Sequence, residues 1–217
     1  MRVPIRFLLV AGVVTALVVG GGVLALGGSE EPERADEPFT TTALADYDTT
    51  TAQVTRGAFC DAVDDRQVDA VLGVVPDAMA WGNGDEVDLA GTGQTDVVHE
   101  FGCRWAAQDV GMAQAWVFAP PVDAERAARL VKSAQKGAGC EPGSGPAFGS
   151  PTLALTCTAD DGAVRASYRG LFGDAWLVCE VTFESGVRVA EPPPDLEDVA
   201  GRWCVGVLEA TGPRAEG

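Results

Sequence analysis

Residues 152–183 read TLALTCTADDGAVRASYRGLFGDAWLVCEVTF, and the class of the fold follows from them. Thr152 to Thr158 is a short apolar and threonine run that reads as a strand. Asp161-Gly162 is a strong hairpin signal, because glycine supplies the positive φ that such turns require. Ala163 to Tyr168 is then the returning strand, and Ala175 to Phe183, carrying Trp176 and Cys179, a third. Upstream, Glu100 to Ala107 and Met112 to Phe118 have strand composition and are joined near Gln108-Asp109-Val110-Gly111. Residues 74–98 and the CEPGSGPAFGSP run at 140–151 are expected to be mostly loop.

Three helices punctuate these strands. Asp64 followed by Gln67 has N-cap spacing, Val68, Val71 and Leu72 supply an apolar face, and Gly73 is a natural stop. Asp123 caps a second helix through about Ala134, with Ala127, Leu130, Val131 and Ala134 at helical spacing. After Pro192-Pro193-Pro194-Asp195, the residues Leu196, Val199, Trp203, Val207 and Leu208 form an amphipathic stripe. Helix, two strands, helix, three strands, helix predicts an α+β domain with helices packed on an antiparallel sheet.

All six cysteines, Cys60, Cys103, Cys140, Cys157, Cys179 and Cys204, lie in this globular part, behind 59 residues that have none. An even, dispersed set without C-x-x-C points to structural disulfides in an oxidising compartment rather than to zinc or redox chemistry. Six cysteines allow fifteen pairings, and sequence does not choose outright among them. Proximity favours Cys140 with Cys157 across the glycine-rich loop, Cys179 with Cys204 between strand and last helix, and Cys60 with Cys103 between first helix and first strand.

Phe7 to Leu26, FLLVAGVVTALVVGGGVLAL, carries no charge over twenty residues. A helix of that length spans roughly 30 Å, the thickness of a bilayer core. Arg2 and Arg6 precede it, whereas Glu30, Glu31, Glu33, Asp36 and Glu37 follow, so the positive-inside rule puts the N-terminus in the cytoplasm. The length favours an uncleaved anchor over a secretory signal peptide; Ala25 and Gly27 would stand at −3 and −1 of a cleavage site. The expected organisation is a cytoplasmic N-terminus (1–6), a transmembrane anchor (7–26), a disordered acidic and threonine-rich stalk (27–55), an extracytoplasmic domain (56–210) and a disordered tail (211–217).

With 15 Lys+Arg against 32 Asp+Glu, the formal net charge is −17. Such a field repels nucleic acid, and no nucleic-acid partner is expected. No G-x-S-x-G occurs, and His99, the sole histidine, sits beside a strand where a structural role outweighs general-base work. Carboxylate pairs fall where structure calls for them: Asp64-Asp65 and Glu197-Asp198 at helix starts, Asp160-Asp161 in the hairpin. Asn83-Gly84-Asp85-Glu86-Val87-Asp88 is the one loop resembling a calcium site, and it lacks the EF-hand spacing because Gln94 stands where the terminal glutamate belongs. Ser144 and Ser185 are turn serines, and the 140–149 loop lacks the lysine of a phosphate-binding loop. Trp105, Trp176 and Trp203 lie near cysteines and are expected to pack over disulfides. Trp81, in the long loop, is the candidate ligand contact.

The segment FCDAVDDRQVDAVLG (59–73), followed by FGCRW (101–105), resembles a broad family of exported actinobacterial envelope proteins of unknown function, many of them lipoproteins. The paucity of lysine and asparagine is consistent with a GC-rich genome. The resemblance implies an envelope location and a Cys60–Cys103 bridge; it brings no catalytic residues. The chain departs from that family in using an apolar anchor without a lipidation cysteine and in carrying four further cysteines. These features together predict a membrane-anchored extracytoplasmic binding or sensing module, non-catalytic and without a cofactor or metal. Its partner would be an envelope protein or a small-molecule or cell-wall ligand. The alternative is a structural or assembly factor that docks on another envelope protein.

Overall fold

Strand β9 (Ala175–Phe183) is apolar at nearly every position and is buried on both sides. It pairs antiparallel with β5 (Gly111–Phe118) and β8 (Val164–Phe172) at the centre of a seven-stranded sheet. The computed structural model describes residues 39–88, 95–186 and 195–213, and from Thr40 these form one compact unit. With β1 (Met79–Trp81), β4 (Glu100–Ala107), β6 (Cys140–Pro142) and β7 (Thr152–Thr158), the sheet order is β1-β4-β5-β9-β8-β7-β6, antiparallel throughout. β2 (Glu86–Asp88) and β3 (Thr95–Val97) make a separate two-stranded ribbon. The antiparallel α+β class and the five longer strands are as predicted.

Helices cover the two faces unequally, because side chains alternate along each strand. On one face, α1 (Asp65–Leu72) and α3 (Leu196–Thr211) pack over Cys103, Trp105, Ala113, Ala115, Val117, Leu177, Cys179 and Val181. Trp203 of α3 is fully buried there, meets Trp105 edge to face with centroids 5.5 Å apart, and donates its indole N–H to the Gln114 carbonyl at 3.1 Å. On the other face α2 (Ala124–Ala134) covers Leu171, Trp176 and Val178 through Ala127, Leu130 and Val131. Trp176 therefore packs under α2 in a cluster without cysteine, not over a disulfide as its sequence position suggested.

All six cysteines are paired, as Cys60–Cys103, Cys140–Cys157 and Cys179–Cys204. The first joins a 3-10 turn (Cys60–Ala62) to β4, and the third bolts α3 to β9. The second joins directly opposed residues of β6 and β7. Closing loops of 43, 17 and 25 residues, each bridge restricts the unfolded chain by about 3–4 kcal/mol.

Several expectations are corrected. Residues 74–98 carry three short strands within the expected loop: Met79–Trp81 adds an edge strand to the main sheet, and Glu86–Asp88 and Thr95–Val97 make the ribbon. Residues 140–142 are likewise a strand. β8 continues to Phe172 because Gly170 is not a break. The Phe148 carbonyl lies where a Cβ on Gly170 would stand, so glycine here permits close packing. The turn residues are Gly162 (φ 84°) and Gly173 (φ 62°). Gln67 does not complete a capping box; Asp64 accepts from the Arg66 N–H, and the Gln67 amide donates to the Arg202 carbonyl of α3.

The expected disordered stalk is ordered over its second half. A 3-10 turn at Leu44–Asp46 buries Leu44 against α3, Arg202 holds the Thr41 carbonyl at 2.6 Å, and the Thr55 N–H donates to the Thr211 carbonyl. Buried Leu44 and Thr49, the side chains of Tyr47, Ala52 and Val54 packed against the core, and these backbone bonds offset the ordering entropy of a polar segment. Thr211, assigned to the tail, is the buried last residue of α3. The expected cytoplasmic N-terminus (1–6), anchor (7–26), first part of the stalk, Pro192-Pro193-Pro194 and the last four residues lie outside the described residues. No helix among the described residues is long and apolar enough to cross a membrane.

Two outcomes follow. Trp203→Ala should cost about 3–5 kcal/mol in urea unfolding followed by circular dichroism, since it removes a fully buried ring and its hydrogen bond. Leu44→Asp should open residues 40–55 to limited proteolysis while the remaining domain stays resistant; unchanged protection would contradict the docking of this segment.

Candidate functional site

The half of the second sheet face that α2 leaves uncovered is polar. Cross-strand register sets Met79 opposite Arg104, Arg104 opposite Gln114, Gln114 opposite Glu180, and Glu180 opposite Ser167. Directly opposed residues share a face, so these side chains form one row across five strands. Arg165 and Arg169 flank Ser167 at two-residue spacing on β8 and project to the same face.

Glu180 is the charged residue of β9 and is only 2% exposed. It accepts a hydrogen bond from the Gln114 amide and lies within ion-pair reach of Arg165 (3.9 Å) and Arg169 (4.0 Å). Burial of a carboxylate costs several kcal/mol unless partners compensate, and this one has three. Arg165 Nε, Arg169 Nε and Ser167 Oγ are buried with no hydrogen-bond partner on the protein. Burial holds the Arg169 guanidinium below its ordinary value, opposed by the Glu180 carboxylate and reinforced by Arg165.

At the β1 end of the row a groove of about 600 Å³ is lined by Met79, Trp81, Asp85, Glu100, Arg104 and Gln114, among others. Trp81 is half-buried and packs closely on Gly102, where any Cβ would collide with the ring. Its indole N–H donates to Glu100 Oε1 at 3.1 Å. Burial raises the Glu100 pKa above its usual 4.5, and the indole hydrogen bond offsets part of that rise. The Arg104 guanidinium rests on the Met79 sulfur at 3.0 Å and has no carboxylate partner among the described residues. A second cleft, of about 330 Å³, is lined by Met112, Gln114, Cys157, Arg165, Glu180 and Thr182, so Gln114 borders both cavities.

Of the residues singled out by sequence, Trp81 is at the groove and the six cysteines are structural pairs. His99 is exposed, and its backbone carbonyl accepts from Ala119. Asp85 borders the groove, where its carboxylate accepts from the Gly82 N–H at 2.6 Å. Asp161 accepts from the Ala163 N–H inside the hairpin, and Glu197 and Asp198 lie in the first turn of α3. Ser144 borders an acidic depression with Asp195, Glu197 and Asp198; burial, reinforced by the charges of Glu197, Asp195 and Asp198, pushes the Tyr168 phenol up to about 12. Among the described residues no group of three or more His, Cys, Asp or Glu is placed to hold a metal ion.

Arg104, Gln114, Glu180, Arg165, Ser167 and Arg169 were not singled out from sequence. The signal was present in period two: one acid inside the apolar AWLVCEVTF, one amide inside GMAQAWVF, and polar residues at alternate positions of VRASYRG. Compared with known proteins, the chain matches no family model, no curated protein and no solved structure.

The Glu100–Trp81 contact gives a pH signature. A raised folded pKa means that Glu100 favours folding when protonated and that this contribution is lost as pH rises through the folded value. Tryptophan fluorescence titrated with acid should therefore show a component with its midpoint above 4.5, absent from both Trp81→Phe and Glu100→Gln.

Proposed function

We propose that this protein is a non-catalytic binding module of an actinobacterial cell envelope. Phe7–Leu26 anchors it with the N-terminus in the cytoplasm, and the disulfide-stapled domain faces outward and takes a polar cell-wall or small-molecule ligand on the open half of its sheet. One observation carries this reading: a row of opposed polar side chains, Arg104, Gln114, Glu180 and Ser167, of which Arg104 and Gln114 line one cavity and Gln114 and Glu180 the other. A sheet face built only for stability would be apolar under a helix or uniformly solvated. This one holds buried charges, and buried donors free of protein acceptors, beside an aromatic wall. Binding rather than turnover is favoured because every cysteine is paired and the sole histidine lies outside the row.

The exposed Met79 and Val97, at and next to the groove lining, favour a second reading in which the same face docks an envelope protein. Calorimetric titration of the full-length protein with soluble peptidoglycan fragments separates the two. The first reading expects saturable binding that Trp81→Ala weakens at least about 30-fold, as for an anchoring tryptophan. No heat with wild type, or equal affinity in the variant, would remove it. Photocrosslinking from position 79 in native membranes to a single protein would then support docking.

A further inference from the structure

The three disulfides have different surroundings. Cys103, Cys179 and Cys204 are wholly buried in the main core, so two of the bridges are sealed at one or both ends. Cys60 and Cys140 are each only partly buried, but Cys140 lies on β6, a three-residue strand at the edge of the sheet, and its partner Cys157 borders the 330 Å³ cleft. This bridge also has a cation on it: Arg165 Nη2 lies 3.4 Å from Cys157 Sγ and 4.0 Å from Cys140 Sγ. Among the described residues neither of the other bridges has such a contact. A guanidinium gains little from an uncharged disulfide but strongly stabilises a thiolate, which is the leaving group when a disulfide is opened.

We propose that Cys140–Cys157 is a thiol-exchange site, opened by a dithiol reductant while Cys60–Cys103 and Cys179–Cys204 stay closed. The incoming thiolate bonds to the half-exposed Cys140 Sγ, the Sγ–Sγ bond breaks, and its electron pair leaves on Cys157 Sγ against Arg165. The second thiol of the reductant then attacks its own sulfur in the mixed disulfide. The reductant leaves oxidised to an internal disulfide, and Cys140 is released as a thiolate. Two electrons have passed to the protein, and the two protons given up by the dithiol are available to the two cysteines. Opening frees β6 from its covalent tie to β7 and leaves it held by a three-residue pairing. The site does not depend on any ligand in the groove.

The test exposes the full-length protein to graded dithiothreitol, quenches with N-ethylmaleimide and maps the alkylated peptides by mass spectrometry. Cys140 and Cys157 should be labelled together at the lowest reductant concentrations, with the other four protected. Arg165→Leu should slow this opening about threefold to tenfold, from the leaving-group dependence of exchange, whereas Arg165→Lys should stay within about twofold of wild type. In Cys140→Ser, the remaining Cys157 thiol should titrate below the ordinary value of about 8.5, measured by iodoacetamide rate against pH, and return toward it when Arg165→Leu is added. Simultaneous opening of all three bridges, earlier labelling of another pair, or an Arg165→Leu variant that changes neither rate nor titration would overturn the proposal. None of these outcomes bears on peptidoglycan binding, so the two readings fail separately.

Discussion

The structure depends on β9 being buried from both sides. Leu177, Cys179 and Val181 meet α3 and α1, while Trp176 and Val178 meet α2. A strand so placed cannot pair with water through either face, so the helices on its two sides are coupled through it. The Cys179–Cys204 bridge and the Trp203 indole bond to β5 tie α3 to that strand and its neighbour. Segments outside the sheet are recruited to the same packing: Leu44 and Thr55 close over α3, and the Gln67 amide reaches its backbone.

Much of this frame was legible from the order of residues. Apolar runs of strand length in 100–107, 112–118, 152–158 and 175–183 correspond to strands because each has to fill one or both faces of a sheet, and Asp64, Asp123 and Asp195 cap helices for the reason aspartate usually does. Proximity of elements also ordered the cysteines correctly, since each pair joins segments that are adjacent in the sheet or packed on it. The three-residue strands β1, β2, β3 and β6 escaped notice because a run that short contains less than two full alternations and lies among glycine and proline. The docking of residues 40–55 escaped for a different reason. It rests on scattered apolar side chains, Leu44 with Tyr47, Ala52 and Val54, and on backbone groups, which make no periodic pattern in a polar segment.

The site was legible only in part. Trp81 stood out as an aromatic residue without a core pattern around it. Arg104, Gln114, Glu180 and Ser167 come from four strands and meet only through register, which is set by pairings between residues as far apart as 114 and 180. An acid inside AWLVCEVTF is the kind of local inconsistency that marks a position serving something other than packing. Its partners cannot be named until strand order is known, because β5 and β9 are neighbours in the sheet although α2, β6, β7 and β8 lie between them in the chain.

The two borders of the sheet have a bearing on how such a chain behaves in a crowded environment. β1 and β6 are each three residues long, and β6 ends at Pro142, which has no N–H to offer. A sheet seven strands wide with full-length borders would present rows of open donors and acceptors to any passing strand. Here the width tapers at both sides, so a second chain finds almost no template on which to extend the ladder. Short borders of this kind disfavour strand addition at the rim of the sheet.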